Sequence, residues 1–185
     1  MRYSQIRDMD VVNGRGIAVS LFVQGCSNHC KGCFNQSTWD FNGGKEWTKE
    51  MQDKFIRLCK KDYVDCVSIL GGEPLDQPLI DTDFVGGKNL EIIKREYGLL
   101  NLLMRIKVLT NKPIYLWTGY TLEELKKKKP LALKSLLDTV SFLIDGRYDE
   151  SKRDLTLKLR GSSNQRVWDL RSGTPIDITK TIDNE

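Results

Sequence analysis

Ile17-Ala18-Val19-Ser20-Leu21-Phe22-Val23, followed at once by Gln24-Gly25-Cys26-Ser27-Asn28-His29-Cys30-Lys31-Gly32-Cys33-Phe34-Asn35, decides how the chain is read. The first run is rich in β-branched and aromatic side chains and predicts a mostly buried strand. The second holds three of the five cysteines in the spacing C-x3-C-x2-C. Thiolates are soft ligands suited to iron–sulfur clusters, zinc or copper(I), and three on one short loop can serve one metal site without help from distant chain. A closed zinc site normally takes four ligands, and an ordinary four-iron cluster takes four cysteines. A set of three therefore suggests a position left open for an exogenous ligand, which is a catalytic arrangement.

Outward from this loop, the pattern alternates helix and strand. Thr48 is placed to cap a helix over residues 49–61, with Met51, Phe55, Leu58 and Cys59 along one face. Cys66-Val67-Ser68-Ile69-Leu70 follows as a second strand and ends in Gly71-Gly72-Glu73-Pro74. A right-handed β–α–β crossover would set that Gly-rich loop beside the cysteine loop. Residues 75–87 read as a loop with at most a single helical turn. Leu90, Ile93, Tyr97, Leu100, Met104 and Val108 then recur at helical spacing, with Gly98 as a dividing point. Ile114-Tyr115-Leu116-Trp117 and Val140-Ser141-Phe142-Leu143-Ile144 supply a third and a fourth strand. Between them lie a helix capped by Thr121, whose acidic start and Lys126 to Lys129 finish complement the helix dipole, and a helix over residues 131–137. The fold class is α/β: an open, mainly parallel sheet or partial barrel with its chemistry at the strand C-terminal ends.

The chain has 185 residues, of which 39% are hydrophobic. That is enough for one domain spanning residues 1–185, with a core over about 10–170, but it is short of the ~250 residues typical of a complete (β/α)8 barrel. The polar residues 171–185 read as a tail whose final dozen residues are weakly ordered. A net charge of +4, from 29 basic and 25 acidic residues, gives no signal for nucleic acid or membrane partners. No run approaches the ~18 apolar residues of a membrane span, and the N-terminus lacks a secretory apolar segment, so a cytoplasmic location is expected. There, an odd, clustered set of cysteines points to metal binding or catalysis. Cys59 and Cys66 read as small buried hydrophobes. His29, the one histidine, would be a fourth ligand in the rival reading, a Cys3His zinc-binding module without chemistry. That rival gives no reason for Gly-Gly-Glu-Pro on the neighbouring strand.

The C-x3-C-x2-C loop after the first strand, with Gly71-Gly72-Glu73-Pro74 after the second, resembles the radical S-adenosylmethionine enzymes. Asn13-Gly14-x-Gly16, Gly32-Cys33-Phe34-Asn35-x-Ser37-Thr38-Trp39, Trp117-Thr118-Gly119-Tyr120, Asp145-Gly146-Arg147-Tyr148 and Arg160-Gly161-Ser162-Ser163-Asn164-Gln165 narrow the likeness. In this order they resemble the glycyl radical activases of anaerobic ribonucleoside-triphosphate reductase, over residues 10–168. The resemblance implies a partial, open barrel of the radical S-adenosylmethionine type and an oxidoreductase activity. Cys26, Cys30 and Cys33 would hold a [4Fe–4S] cluster whose fourth iron takes the amino and carboxylate groups of S-adenosylmethionine. Reductive cleavage then gives a 5′-deoxyadenosyl radical, which abstracts a hydrogen from a glycine in the large subunit of the reductase. Positioning is the protein's main part, because the cofactors carry the redox chemistry.

By the same resemblance, Gly71 and Gly72 permit close backbone approach to the methionine end of the cofactor, and Glu73 accepts hydrogen bonds near its ammonium group. Gly32, Cys33 and Phe34 also contact S-adenosylmethionine, Phe34 as an apolar contact for the adenine. Many radical S-adenosylmethionine enzymes carry an aromatic residue just before the third cysteine, where this chain has Gly32. Thr118, Tyr120, Asp145 and Arg147 at the strand ends either line the cofactor and entering loop or serve as turn residues. Residues 160–166 either cover the site or meet the reductase. The implied partners are the reductase large subunit and a one-electron reductant such as flavodoxin. A homodimer, and activation of a formate-lyase type of glycyl radical enzyme, stay open.

Overall fold

The computed structural model describes residues 1–77 and 98–184. Eight strands form one sheet in the order β3-β1-β2-β4-β5-β6-β7-β8. They are β1 (Arg2–Asp10), β2 (Ala18–Val23), β3 (Lys45–Glu46), β4 (Cys66–Gly71), β5 (Ile114–Trp117), β6 (Phe142–Asp145), β7 (Arg166–Asp169) and β8 (Ile176–Asp177). The four strands expected from the sequence, β2, β4, β5 and β6, are the parallel centre. Antiparallel pairs extend it, β1 and β3 on one side and β7 and β8 on the other. The architecture is thus a mixed α/β fold around an open, partly parallel sheet.

Alternation along the central strands separates two faces. Val19, Leu21 and Val23 of β2, Val67 and Ile69 of β4, Ile114 and Leu116 of β5 and Leu143 of β6 join the main apolar core. Among the described residues, four helices supply the other half of that core. These are α1 (Lys49–Cys59), α2 (Leu99–Thr110), α3 (Leu122–Lys128) and α4 (Pro130–Thr139). The Thr48 hydroxyl accepts from Met51 N–H at the start of α1. Thr121 and Glu124 form a reciprocal capping box on α3, which satisfies N–H groups that a helix start otherwise leaves unpaired. Gly98 is the N-cap of α2, so the helical segment does divide there. Its expected first part, residues 89–97, and most of the loop 75–87 lie outside the described residues.

On the opposite face, Ala18, Cys66, Tyr115, Phe142 and Ile144 pack with Val167 and with Ile182 from a short C-terminal helix, α5 (Thr179–Asp183). Residues 171–185 therefore contain β8 and α5, which corrects the expectation of a weakly ordered tail. Ile182 is 1 % exposed, and burying such a side chain contributes roughly 1.5 to 3 kcal/mol toward anchoring the helix. Cys59 and Cys66 are both buried, as read. Among the described residues, no helix is long and apolar enough to cross a membrane.

Candidate functional site

Parallel pairing brings the C-terminal ends of β2, β4, β5 and β6 to one edge: Val23 is level with Gly71, and Trp117 with Ile144. The loops that follow β2, β4, β5 and β6 leave from that edge. The cysteine loop has little regular structure of its own beyond one 3-10 turn, Gln36–Thr38. Neighbouring backbone fixes it instead: Gly25 N–H donates to Thr38 O (2.7 Å) and Cys26 N–H to Trp39 O (3.1 Å). The turn after β4 docks directly on it, with Gly72 N–H donating to Val23 O (2.9 Å) and Glu73 N–H to Gly25 O (2.8 Å). A Cβ on Gly72 would overlap the Gly25 carbonyl, so the two loops meet only because this position is glycine.

The three thiols are free, Cys26 buried and Cys30 and Cys33 half-buried. Burial, with the Glu73 and Asp76 carboxylates nearby, pushes the Cys26 thiol up. Burial and the neighbouring Cys33 do the same to Cys30. A bound iron overrides this by deprotonating a coordinating thiol outright. Cys33 N–H donates to Cys30 O (3.1 Å), and Asn35 N–H points at Cys33 Sγ (3.3 Å), a donor suited to a charged sulfur. Gly32 sits between them at φ +70°, where a Cβ would lie 2.5 Å from Glu150 Oε1. That backbone accounts for the missing aromatic residue, which would strain the turn and strike Glu150. The donor set fits an iron–sulfur cluster: soft thiols on one loop, with a backbone N–H directed at one of the sulfurs.

Glu73 is 1 % exposed. Its Oε1 accepts from Thr118 Oγ1 (2.7 Å) and Leu75 N–H (3.0 Å), and its Oε2 from Gly119 N–H (2.7 Å) and Asn28 Nδ2 (3.1 Å). Burial pushes its pKa up to about 7, against the pull of the Thr118, Leu75 and Gly119 donors. The strand-end residues whose roles the sequence left open take structural partners. Tyr120 donates to Asp76 Oδ1 (2.7 Å), and burial with that carboxylate pushes the phenol up to about 12. Asp145 is bound by Arg166 and Leu122 N–H, and Arg147 reaches Asn28 and Glu124.

Beside the loop, on the face away from the main helices, opens a cavity of about 830 Å³. Cys33, Phe34, Leu70, Trp117, Tyr148 and Gly161 are among its walls. Phe34 is 59 % exposed and meets Tyr148 at 5.4 Å between ring centroids. Residues 155–161 form the far wall, whereas Arg166 turns to Asp145 and Glu123. Sequence reasoning missed Asn28, Asp76 and Trp39. A carboxylate three positions beyond Glu73 was a signal for Asp76, but nothing in the sequence pairs Asn28 with Arg147.

An open α/β sheet with a three-thiol loop at its parallel edge defines the class, an iron–sulfur protein. Consistent with it, residues 12–168 match the family described as a 4Fe-4S single cluster domain. The relatives include a protein of Vibrio cholerae, 38% identical over 90% of this chain and 97% of its own length. Others are a protein of Salmonella typhimurium, 37% identical over 92% of this chain and all of its own length, and one of Enterobacteria phage T4, 35% identical over 94% and 97%. All three are named anaerobic ribonucleoside-triphosphate reductase-activating protein. The chain belongs to that family, and an iron–sulfur cluster is its cofactor.

Proposed function

We propose that this chain activates anaerobic ribonucleoside-triphosphate reductase, installing a glycyl radical on its large subunit by radical S-adenosylmethionine chemistry at a [4Fe–4S] cluster on Cys26, Cys30 and Cys33. One observation carries the reading. The three-thiol loop and the Gly71-Gly72-Glu73 turn, far apart in sequence, are hydrogen-bonded together at one sheet edge beside a cavity. The relatives' names supply the partner.

The chemistry those cofactors supply when bound is reductive cleavage of S-adenosylmethionine to a 5′-deoxyadenosyl radical that takes a hydrogen atom from the partner's glycine. This chain's residues bind and orient. Cys26, Cys30 and Cys33 would hold the cluster as thiolates, and a set of three would leave room for S-adenosylmethionine to bind it. Gly71 and Gly72 let the turn after β4 pack against β2 and the cysteine loop, which would set their backbone, followed by Glu73, beside the methionine end. Gly32, Cys33 and Phe34 border the path to the cavity, Phe34 offering an apolar face for the adenine. The cavity volume falls within the ~300 to 1,000 Å³ usual for small-molecule sites. The whole chain then works as one radical S-adenosylmethionine domain with a partial barrel, whose unclosed sheet leaves room for a polypeptide loop. A one-electron donor such as flavodoxin would supply the reducing equivalent.

The zinc-module rival finds less support. Among the described residues, no three His, Cys, Asp or Glu side chains converge on a point where one ion would sit. A four-iron cluster places each thiolate on a separate iron and does not require such convergence. His29 is stacked on Trp39, with centroids 4.7 Å apart. Anaerobic reconstitution decides between them: brown protein with about four irons per chain is expected, and colourless protein with stoichiometric zinc would refute the cluster. Mixing the reconstituted protein with the reductase or with a formate-lyase type of enzyme, and looking for the glycyl radical by electron paramagnetic resonance, identifies the partner.

A further inference from the structure

The three residues between Cys26 and Cys30 are each tied to a different part of the molecule. Ser27 donates from its backbone N–H (2.9 Å) and its hydroxyl (2.6 Å) to Asp76 Oδ2. Asn28 donates from Nδ2 to Glu73 Oε2 and accepts on Oδ1 from Arg147 Nε (2.9 Å). His29 adopts a left-handed φ of 45° and lies flat against Trp39. Arg147 is in turn held by Glu124, whose two oxygens accept from Nη1 at 3.2 and 2.9 Å. The chain Glu124, Arg147, Asn28, Glu73, Thr118 thus joins the loops that follow β6, β2, β4 and β5. Glu73 is its hub, and its two oxygens each already accept two hydrogen bonds. A carboxylate offers about four lone-pair sites, so none is left for the ammonium group of a cofactor.

We infer that Glu73 is a positioning residue, whose carboxylate locks the C-x3-C limb through Asn28 and does not itself receive the ammonium of S-adenosylmethionine. This rests on the reading that the loop holds a [4Fe–4S] cluster. The physical reason is the loop's lack of its own ladder of hydrogen bonds. Ordering each backbone residue costs on the order of 1 to 2 kcal/mol, and between Cys26 and Cys30 that cost is met by side-chain contacts to Asp76, Glu73, Arg147 and Trp39. Cutting the Asn28 link frees Cys26 and Cys30 to drift relative to each other. Cluster retention suffers before cofactor affinity does, as happens when groups that orient metal ligands are removed.

The test uses the full chain, reconstituted anaerobically, as wild type, Glu73→Gln, Asn28→Ala and the double variant. Whichever way glutamine turns, its NH2 meets a backbone N–H, that of Leu75 or that of Gly119, so the four-donor arrangement that holds Asn28 is broken. Two quantities are read: the rate of iron loss to a chelator, and S-adenosylmethionine affinity normalised to intact cluster counted by electron paramagnetic resonance. Each single variant is expected to lose iron about tenfold faster. The double variant should be no faster than the faster single one, because both cut the same link, and normalised cofactor affinity should stay within about twofold in all three. A Glu73→Gln protein that keeps its iron like wild type and binds S-adenosylmethionine tenfold more weakly would overturn the inference, as would multiplicative iron loss in the double variant. If Glu73→Gln does not fold, Asn28→Ala decides alone: faster iron loss with unchanged affinity supports the inference, and unchanged iron loss overturns it. Wild-type protein that takes up zinc and no cluster would overturn the functional reading first, and metal analysis reveals that before any variant is made.

Discussion

Asp145 is fully buried at the end of β6, and its charge is tolerated because Arg166 donates from Nε (2.9 Å) and Nη2 (2.6 Å) while Leu122 N–H donates at 2.7 Å. Removing the arginine leaves that carboxylate without its counter-charge. Arg166→Ala is therefore expected to lower the unfolding free energy by roughly 3 to 5 kcal/mol, measured by urea denaturation; a loss below about 1 kcal/mol, as for surface pairs, would show the pair to be dispensable. At the cluster loop, Cys26→Ala, Cys30→Ala and Cys33→Ala should each abolish 5′-deoxyadenosine formation under reducing conditions. Normal production by any one of them removes that cysteine from the mechanism. Gly32→Ala forces a Cβ into a left-handed backbone at φ +70° and against Glu150. The expected cost is about 1 to 2 kcal/mol, read in the metal-free protein, and a variant as stable as wild type would deny the strain.

At the scale of elements, Thr121 shows what a short helix needs. The seven residues of α3 are too few to be stable alone, and the capping box ties them to the β5 end. Thr121→Ala should cost about 1 kcal/mol, and thermal melts that coincide with wild type would contradict the cap's importance. The strands β2, β4, β5 and β6 were legible in the sequence because strands buried on both faces read as continuous apolar runs. β1 was not. Its Arg2, Gln5, Arg7 and Asp8 interrupt the apolar pattern, as suits a strand near the sheet margin with much of its length in contact with solvent. Two-residue strands such as β3 and β8 leave too short a pattern to read. The cysteine loop and the Gly-Gly-Glu-Pro turn were legible as chemistry, because ligand spacing and glycine freedom are local properties. The contacts that hold the loop were not: Asn28 and Arg147 stand 119 positions apart, and only the folded sheet edge brings them together.

Across the whole molecule, the sheet divides the labour. Helices α1 to α4 pack on one face and build the main core, while the other face carries the cavity, walled by residues 155–161 and with Ile182 of α5 in its lining. Ile182→Ala should destabilise the protein by roughly 2 to 5 kcal/mol, a large effect for one side chain of a five-residue helix; a change under about 0.5 kcal/mol, typical of exposed sites, would contradict its place in the core. On the proposed reading, this architecture turns a three-thiolate cluster into a radical generator for a protein partner. The most direct test combines anaerobically reconstituted chain, a one-electron reductant, S-adenosylmethionine and anaerobic ribonucleoside-triphosphate reductase, and scores 5′-deoxyadenosine together with the glycyl radical signal. Both products are expected, each lost with Cys26→Ala. Reconstituted protein that carries its cluster yet forms neither product with the reductase would contradict the proposed function.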